Sequence, residues 1–405
     1  GENPIDKYYF SKDGGNSYVE STSQTYTFNE LTPNTTYTFK VYAKDTLGYE
    51  TNEESIEVTT NAYVNPTVNN VTVTDTTTSS ISISVSASGG TNRVATYYYS
   101  INNGAYTSSS SNTKTFTGLS KGTTYTIKVY VKDTNGVDSS VKTTSAKTES
   151  AVLLADYIKG LYTSQGTNGL YYHTSSLANS AADNSYRYAG ANPNNYVCFG
   201  SDAATCPGDN LYRIIGVFGS EVKLIKSTSY GYYRWSDNFD NTWGSSDIYT
   251  TLNSTFLSTI SSIWKNKIAT HAWKVGGIGD GSARSKAQTV YNAEVGSSSS
   301  STTASMKIGL MYVSDYGFAA SNNYWTTGLY NYNKIAGSWL YLGDSEWTIT
   351  RFIGLSNSAY NVLSNGRVSY SNVGGPNAIR PSLYLTSSTT YVSGSGTSSD
   401  PIRIN

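Results

Sequence analysis

The residues of this chain that could do chemistry are few and dispersed. Cys198 and Cys206, in CFGSDAATC, stand eight positions apart. That spacing fits a short disulfide-bonded loop, with two free thiols of a reducing compartment as the alternative. Closing so small a loop stabilises a fold by about 2.5 kcal/mol in the chain-entropy description. His173 in LYYHTSS and His271 in THAWKVG are the only histidines. Neither lies in a motif that presents a nucleophile, so a hydrogen-bonded structural role is expected for both. Asp315, Asp344 and Glu346 are the carboxylates whose sequence proximity suggests the paired acids of glycoside cleavage. Asp237, Asn238 and Asp240 in WSDNFDN, with Asp280 in GIGDGS, offer hard oxygen ligands. They follow no EF-hand pattern, so no cofactor is expected and calcium is the one candidate ion. The glycine-rich VGGIGDGS matches no phosphate-binding loop.

A different chemistry is suggested by aromatic and amide side chains in the last hundred residues. Tyr324, Trp325, Tyr330 and Tyr332 are followed by Asn357, Tyr360, Asn361, Tyr370 and Asn372. Tyrosine and tryptophan offer rigid amphipathic area at low entropy cost, and asparagine adds adaptable hydrogen bonds. Aromatic faces also stack on the apolar faces of sugars. The competing explanation is background, because the whole chain is rich in tyrosine (37 residues).

The composition sets the class of element that must hold these side chains. Only 14% of the 405 residues are charged, against about 25% in an average soluble protein. Ser, Thr, Asn, Gly and Tyr fill the gap, and abundant Thr and Tyr favours strands. Net charge is zero, without a basic cluster, so neither nucleic acid nor an anionic membrane is an expected partner. No apolar run is long enough to span a bilayer, and GENPIDKYYF carries no signal-peptide pattern. An extracellular, mostly β protein is expected.

Positions repeat at a constant offset: Phe28 aligns with Phe116, Leu31 with Leu119, Tyr37 with Tyr125 and Asp45 with Asp133, each 88 residues apart. TYTFKVYAKD and TYTIKVYVKD alternate with period two, placing Tyr37, Phe39, Val41 and Ala43, or Tyr125, Ile127, Val129 and Val131, on a buried face. Turns follow at DTLGYE and DTNGVD. The pattern resembles a fibronectin type III domain, on Leu31, Pro33, Thr35 and Tyr37 and on Leu119 through Tyr125. The resemblance implies an all-β sandwich in which the tyrosine hydroxyl bonds back to the chain. Residues 1–61 form one such repeat, lacking its first two strands, which are expected upstream. Residues 62–149 form the second, with early strands in NNVTVTDTTTSSISISVSASGG. The link at 62–66 contains Pro66 and favours a stiff spacer.

Residues 150–405 read as a larger α+β domain. Ser150 could cap a first helix, and Ser246 another carrying Ile248, Leu252, Phe256, Ile260, Ile263 and Trp264. Leu211–Phe218 and Glu221–Lys226 read as a hairpin across Gly219-Ser220. A further helix is expected near 287–295. KIGLMYVSDYGFA, SWLYLG, EWTITRF, AYNVLS, GRVSYSNV and AIRPSLYLT read as strands. Gly343, Glu346 and Trp347, followed by Ile379, Arg380 and Pro381, resemble the closing motifs of bacterial C-type lectin-like domains. Those domains are related to formylglycine-generating enzymes and to the variable proteins of diversity-generating retroelements. The resemblance implies that Glu346, Trp347, Arg351 and Arg380 hold the fold, while neighbouring Tyr and Asn side chains meet a ligand. The resulting expectation is a bacterial surface adhesin whose sandwiches present a domain that binds a glycan or a host or bacterial surface protein. A secreted polysaccharide hydrolase and a structural filament subunit are the alternatives.

Overall fold

The computed structural model describes residues 3–296, 302–334 and 337–405. The chain divides into two compact units, Gly1–Ser150 and Ala151–Asn405.

In the first repeat, β1 (Ile5–Ser11), β2 (Val19–Ser21), β3 (Thr36–Asp45) and β4 (Glu54–Thr59) form one sheet in the order β2-β1-β3-β4. The second repeat adds β5 (Thr67–Thr76), β6 (Ile81–Ser88), β7 (Val94–Ile101), β8 (Thr107–Ser109), β9 (Thr113–Phe116), β10 (Thr124–Asp133) and β11 (Lys142–Lys147). Among the described residues these make a sheet β5-β6-β9 and a sheet β11-β10-β7-β8, a fibronectin type III-like sandwich. The alternation of the sequence supplies its core. Ile81, Ile83 and Val85 of one sheet and Ile127, Val129 and Val131 of the other are buried in a single cluster. On the opposite face, cross-strand tyrosines stack: Tyr98 on Tyr130 with centroids 4.6 Å apart, and Tyr9 on Tyr42 at 4.8 Å in the first repeat.

The repeat also conserves its corners. The Tyr37 hydroxyl accepts the Thr32 amide (2.9 Å) and the Tyr125 hydroxyl accepts the Ser120 amide (2.7 Å). Asp133 Oδ1 accepts the amides of Asn135 and Val137, both at 2.9 Å, and Asp45 holds Leu47 and Tyr49 in the same way. Gly48 and Gly136 supply the positive φ that each turn needs (87° and 81°). Tyr63 and Val64, in the link, are bound to the second repeat through Asp133, Asn92 and Thr91.

The two repeats differ in burial. Phe39 and Val41 are only half-buried. With Phe10, Tyr26, Phe28 and Leu31 they line an open apolar groove of about 490 Å³. Ile127, at the position of Phe39 in the second copy, is wholly enclosed. Ile127→Ala is therefore expected to cost about 2–5 kcal/mol and Phe39→Ala clearly less, measured by urea unfolding of the whole chain. Equal losses would show that the face bearing Phe39 is covered in solution.

In the second unit, a sheet of seven strands among the described residues runs Leu170–Tyr172, Tyr186–Tyr188, Leu211–Phe218, Glu221–Lys226, Ser382–Leu385, Ile308–Gly309, with Tyr196–Cys198 on the early part of Leu211–Phe218. A five-stranded sheet runs Gly231–Arg234, Pro376–Ile379, Glu346–Arg351, Ser358–Val362, Val368–Asn372. Its pairs are antiparallel except that Glu346–Arg351 runs parallel to Pro376–Ile379. The expected hairpin turns at Gly219-Ser220, where Gly219 has φ 63°. All seven tryptophans are buried in the core of this unit.

Several local expectations are corrected. The first helix begins at Leu154 rather than directly after Ser150, and no side chain caps it, because Leu153 is still extended and pairs with Thr390. Ser246 does cap the helical stretch Asp247–Thr259, accepting the Tyr249 amide at 3.1 Å, but that stretch contains a π-helical segment and ends at Ile260. Ile263, counted on the apolar stripe, is 67% exposed. KIGLMYVSDYGFA forms a strand only at Ile308–Gly309 and then the helix Val313–Ala319. Buried carboxylates decide this: Glu294 accepts the amides of Val313 and Ser314 (3.0 and 2.9 Å), and Asp315 accepts that of Tyr312 (2.9 Å). The unpaired donors of a helix start are thus satisfied. SWLYLG is a turn rather than a strand, since Trp339 gives its amide to Gly190 and its indole N–H to Tyr188. AIRPSLYLT is not one strand but two, broken at Arg380-Pro381 and belonging to different sheets.

Candidate functional site

The break at Arg380 is held by charge. Its guanidinium donates through Nε and Nη2 to the two oxygens of Glu346, each at 2.8 Å, and Nη2 also reaches the Leu340 carbonyl at 2.6 Å. Both side chains are buried, and a bidentate pair supported by a further hydrogen bond to a carbonyl is a geometry in which such burial is tolerated. The neighbouring Trp347 gives its indole N–H to Tyr233 O (3.0 Å). Arg351 donates to Gly276 O (2.9 Å). Asn241 Nδ2 approaches the carbonyls of Phe352, Leu355 and Ser358 at 2.7 to 2.9 Å, fixing the turn between two strands.

On this frame the strands Ser358–Val362 and Val368–Asn372 set Tyr360 opposite Tyr370. Tyr370 stacks on Phe352 with centroids 4.4 Å apart. Two guanidinium groups pack on the ring of Tyr330, Arg367 at 4.0 Å and Arg284 at 4.8 Å from its centroid. Arg367 Nε also donates to the Tyr330 carbonyl (3.1 Å), and Asp280 pairs with Arg284 (2.8 Å). Asp280, Arg284, Tyr330, Tyr360, Ser369 and Tyr370 line a cleft of about 300 Å³. Burial holds the Tyr360 phenol protonated by raising its pKa, and its hydroxyl has no hydrogen-bond partner among the described residues.

Of the nine side chains expected to meet a ligand, Tyr330, Tyr360 and Tyr370 come together in this cleft. Tyr324 is half-buried, packed edge-on to Tyr332. Asn357 and Asn372 are exposed but do not line the cleft, and Asn372 is used to hold the Gly374 amide. Trp325, Tyr332 and Asn361 are corrections: all three belong to the interior. Trp325 donates to Ala320 O, Tyr332 to Gly317 O and Tyr324 O, and Asn361 to Ser371 Oγ. Tyr360 is a floor rather than an exposed platform, being fully buried. Sequence reasoning missed Arg284 and Arg367. Their only signal is Asp280–Arg284 spacing at i,i+4 and a turn, SNGR, that carries Arg367 between two strands.

The carboxylates considered for hydrolysis are separately committed. Glu346 is locked to Arg380, Asp344 accepts the Tyr232 hydroxyl, and Asp315 is paired with Lys223. Among the described residues no three His, Cys, Asp or Glu side chains cluster as metal ligands. Asp237 pairs with Arg234, and Asp240 accepts from Thr242 and Ser245. Cys198 and Cys206 form the expected disulfide, with Cα atoms 5.8 Å apart. That bond suits an oxidising, extracellular setting. Among the described residues no helix is long and apolar enough to cross a membrane.

The chain matches no family model, and no curated protein matches it. Solved structures similar to part of it include fibronectin(III)-like modules of CbhA from Clostridium thermocellum, 16% identical over 37% of this chain and 81% of that one, TM-score 0.20. A two-domain fibronectin type III segment of chicken tenascin is 18% identical over 36% of this chain and 87% of that one, TM-score 0.21. The chitinase ChiA74 from Bacillus thuringiensis is 14% identical over 40% of this chain, TM-score 0.20, and the chain spans 16% of that enzyme's length.

Two predictions follow from the frame. Arg380→Met leaves Glu346 buried and unpaired, so it is expected to destabilise the C-terminal unit by about 3–5 kcal/mol, read by urea unfolding. His173 accepts the Ala181 amide at Nδ1 (3.0 Å) and is buried among Phe318 and Trp325. Burial first, and then the Arg187 charge, hold its pKa well below the ordinary value, with Asp183 opposing. Below about pH 6.5 the unfolded chain takes up a proton that the folded chain refuses. Stability should therefore fall with decreasing pH, by up to about 1.4 kcal/mol per unit for this group. His173→Asn retains an acceptor and should flatten that slope between pH 7 and 5; an unchanged slope would remove His173 as its source.

Proposed function

We propose that the second unit is a C-type lectin-like recognition domain of a bacterial surface adhesin, and that the sandwich repeats act as spacers presenting it. The ligand is a glycan, bound in the cleft between Tyr330 and Tyr370. The observation that carries this reading is Tyr330, with the guanidinium groups of Arg284 and Arg367 both packed on its ring, at the rim of a polar cleft whose wall is Tyr370. A tyrosine clamped in this way keeps its orientation before a ligand arrives, which lowers the entropy cost of binding. Tyr370 is 37% exposed and offers a fixed aromatic face for a sugar ring, while Ser369, Asp280 and the two arginines supply hydrogen bonds to hydroxyl groups. A surface protein that presents such a glycan would be the biological partner. The retroelement resemblance adds that exposed positions such as Asn357, Tyr370 and Asn372 are where related chains would vary.

The test is a glycan array probed with the full chain in calcium and again in EDTA. Saturable binding is expected, weakened about tenfold or more by Tyr370→Ala or Tyr330→Ala, a change of about 1.4 kcal/mol. Calcium dependence would place a cation in the site. Silence across the array, or binding unaffected by either substitution, would remove the cleft from this role.

A further inference from the structure

Among the described residues, the most enclosed ion pair of the second unit lies outside the cleft, and nothing in the recognition reading uses it. Lys223 stands in the strand Glu221–Lys226, flanked by neighbours on both sides of the large sheet. Its side chain is 0% exposed, and its Nζ lies 2.5 Å from Oδ2 of Asp315, which is 2% exposed. Three rings close around the amine: Tyr312 at 4.3 Å, Trp273 at 5.0 Å and Tyr384 at 5.3 Å. The carboxyl is equally constrained. The Tyr312 amide donates to Oδ2 (2.9 Å), and Arg187 Nη1 stands 3.5 Å from Oδ1.

We propose that Lys223 and Asp315 condense into an intramolecular amide bond. The Nζ lone pair attacks Cγ of Asp315, and one Cγ–O bond breaks. The departing oxygen leaves as water, taking the two protons that an ammonium loses in becoming an amide N–H. No oxidant, reductant or cofactor is consumed. The Arg187 guanidinium and the Tyr312 amide are placed to stabilise the oxyanion of the tetrahedral adduct.

Three features of the site favour the reaction over a lasting ion pair. Amine and carboxyl are held in contact by strand and helix, so the encounter is already made. Burial lowers the Lys223 pKa, opposed by Asp315, and so favours the nucleophilic free amine. Glu294, bound to the amides of Val313 and Ser314 at the same helix end, is held above the ordinary carboxyl range by burial and can carry a proton there. Charge balance also agrees. Condensation removes one buried cation and one buried anion, and leaves Arg187 with Asp183, its partner at 2.6 Å. The product would tie the sheet to the start of the helix Val313–Ala319 across 92 residues, with no dependence on redox conditions.

Mass spectrometry of the intact full chain, with its disulfide reduced, tests this directly. The expected mass is one water below that of the sequence. Trypsin should fail to cut after Lys223, and a branched peptide should join the segments containing Lys223 and Asp315. Lys223→Met should restore the full mass. The proposal is overturned by folded wild-type protein of full mass that is cleaved after Lys223, or by a deficit that persists in Lys223→Met. Should that variant not fold, presence or absence of the branched wild-type peptide decides alone.

Discussion

The C-terminal unit depends on the buried pair of Glu346 and Arg380. The chain leaves the five-stranded sheet at Ile379 and enters the seven-stranded sheet at Ser382, with only Arg380 and Pro381 between them. A guanidinium bound at both ends of a carboxylate fixes that crossing in direction as well as position, which an apolar contact would not do. Trp347 and Arg351, on the same strand as Glu346, extend the constraint to Tyr233 and Gly276. Of the cleft side chains, Tyr360, Ser369 and Tyr370 stand on the two strands that follow, so their placement inherits the rigidity of the pair.

The low charge content of the chain takes on a different meaning inside this unit. Arg187, Lys223, Asp315, Glu294, Glu346 and Arg380 are all buried, where each must be matched by an opposite charge or by complementary hydrogen-bond partners. Such pairs add little net stability compared with apolar packing, but they penalise every arrangement that leaves one member alone. The helix Val313–Ala319 is an instance. Its start is defined by two carboxylates, from Glu294 and Asp315, rather than by an apolar stripe.

The sandwich repeats are built on the opposite principle. Among the described residues their cores contain no ionic pair comparable to these, and their order comes from alternating apolar side chains, tyrosine corners and aspartate-held turns. This is a construction that tolerates duplication, because each device lies within a few residues of the next.

That difference explains what could be read before the fold was known. The repeat, its strand faces, the corner tyrosines and the Gly219-Ser220 hairpin are local patterns, with period, turn residues and pairing partners within reach of one another in sequence. The disulfide is local in the same sense, with Cys198 and Cys206 on one short loop. The cleft was legible only in part. Tyr330, Tyr360 and Tyr370 were visible as aromatic residues in a polar context, but nothing in the chain distinguished them from Trp325 and Tyr332, which have the same chemistry and lie in the core. Burial is a property of the packed whole, and so were the choices that periodicity read wrongly: the helix after Met311, the turn at Trp339 and the broken strand at Arg380. By itself the sequence determined where strands of one buried face would form and how the repeats would turn. Only tertiary structure decided which aromatic rings face outward and which charges meet, because those depend on residues 30 to more than 100 positions apart, such as Glu346 with Arg380 and Arg187 with Asp315, that no local pattern brings together.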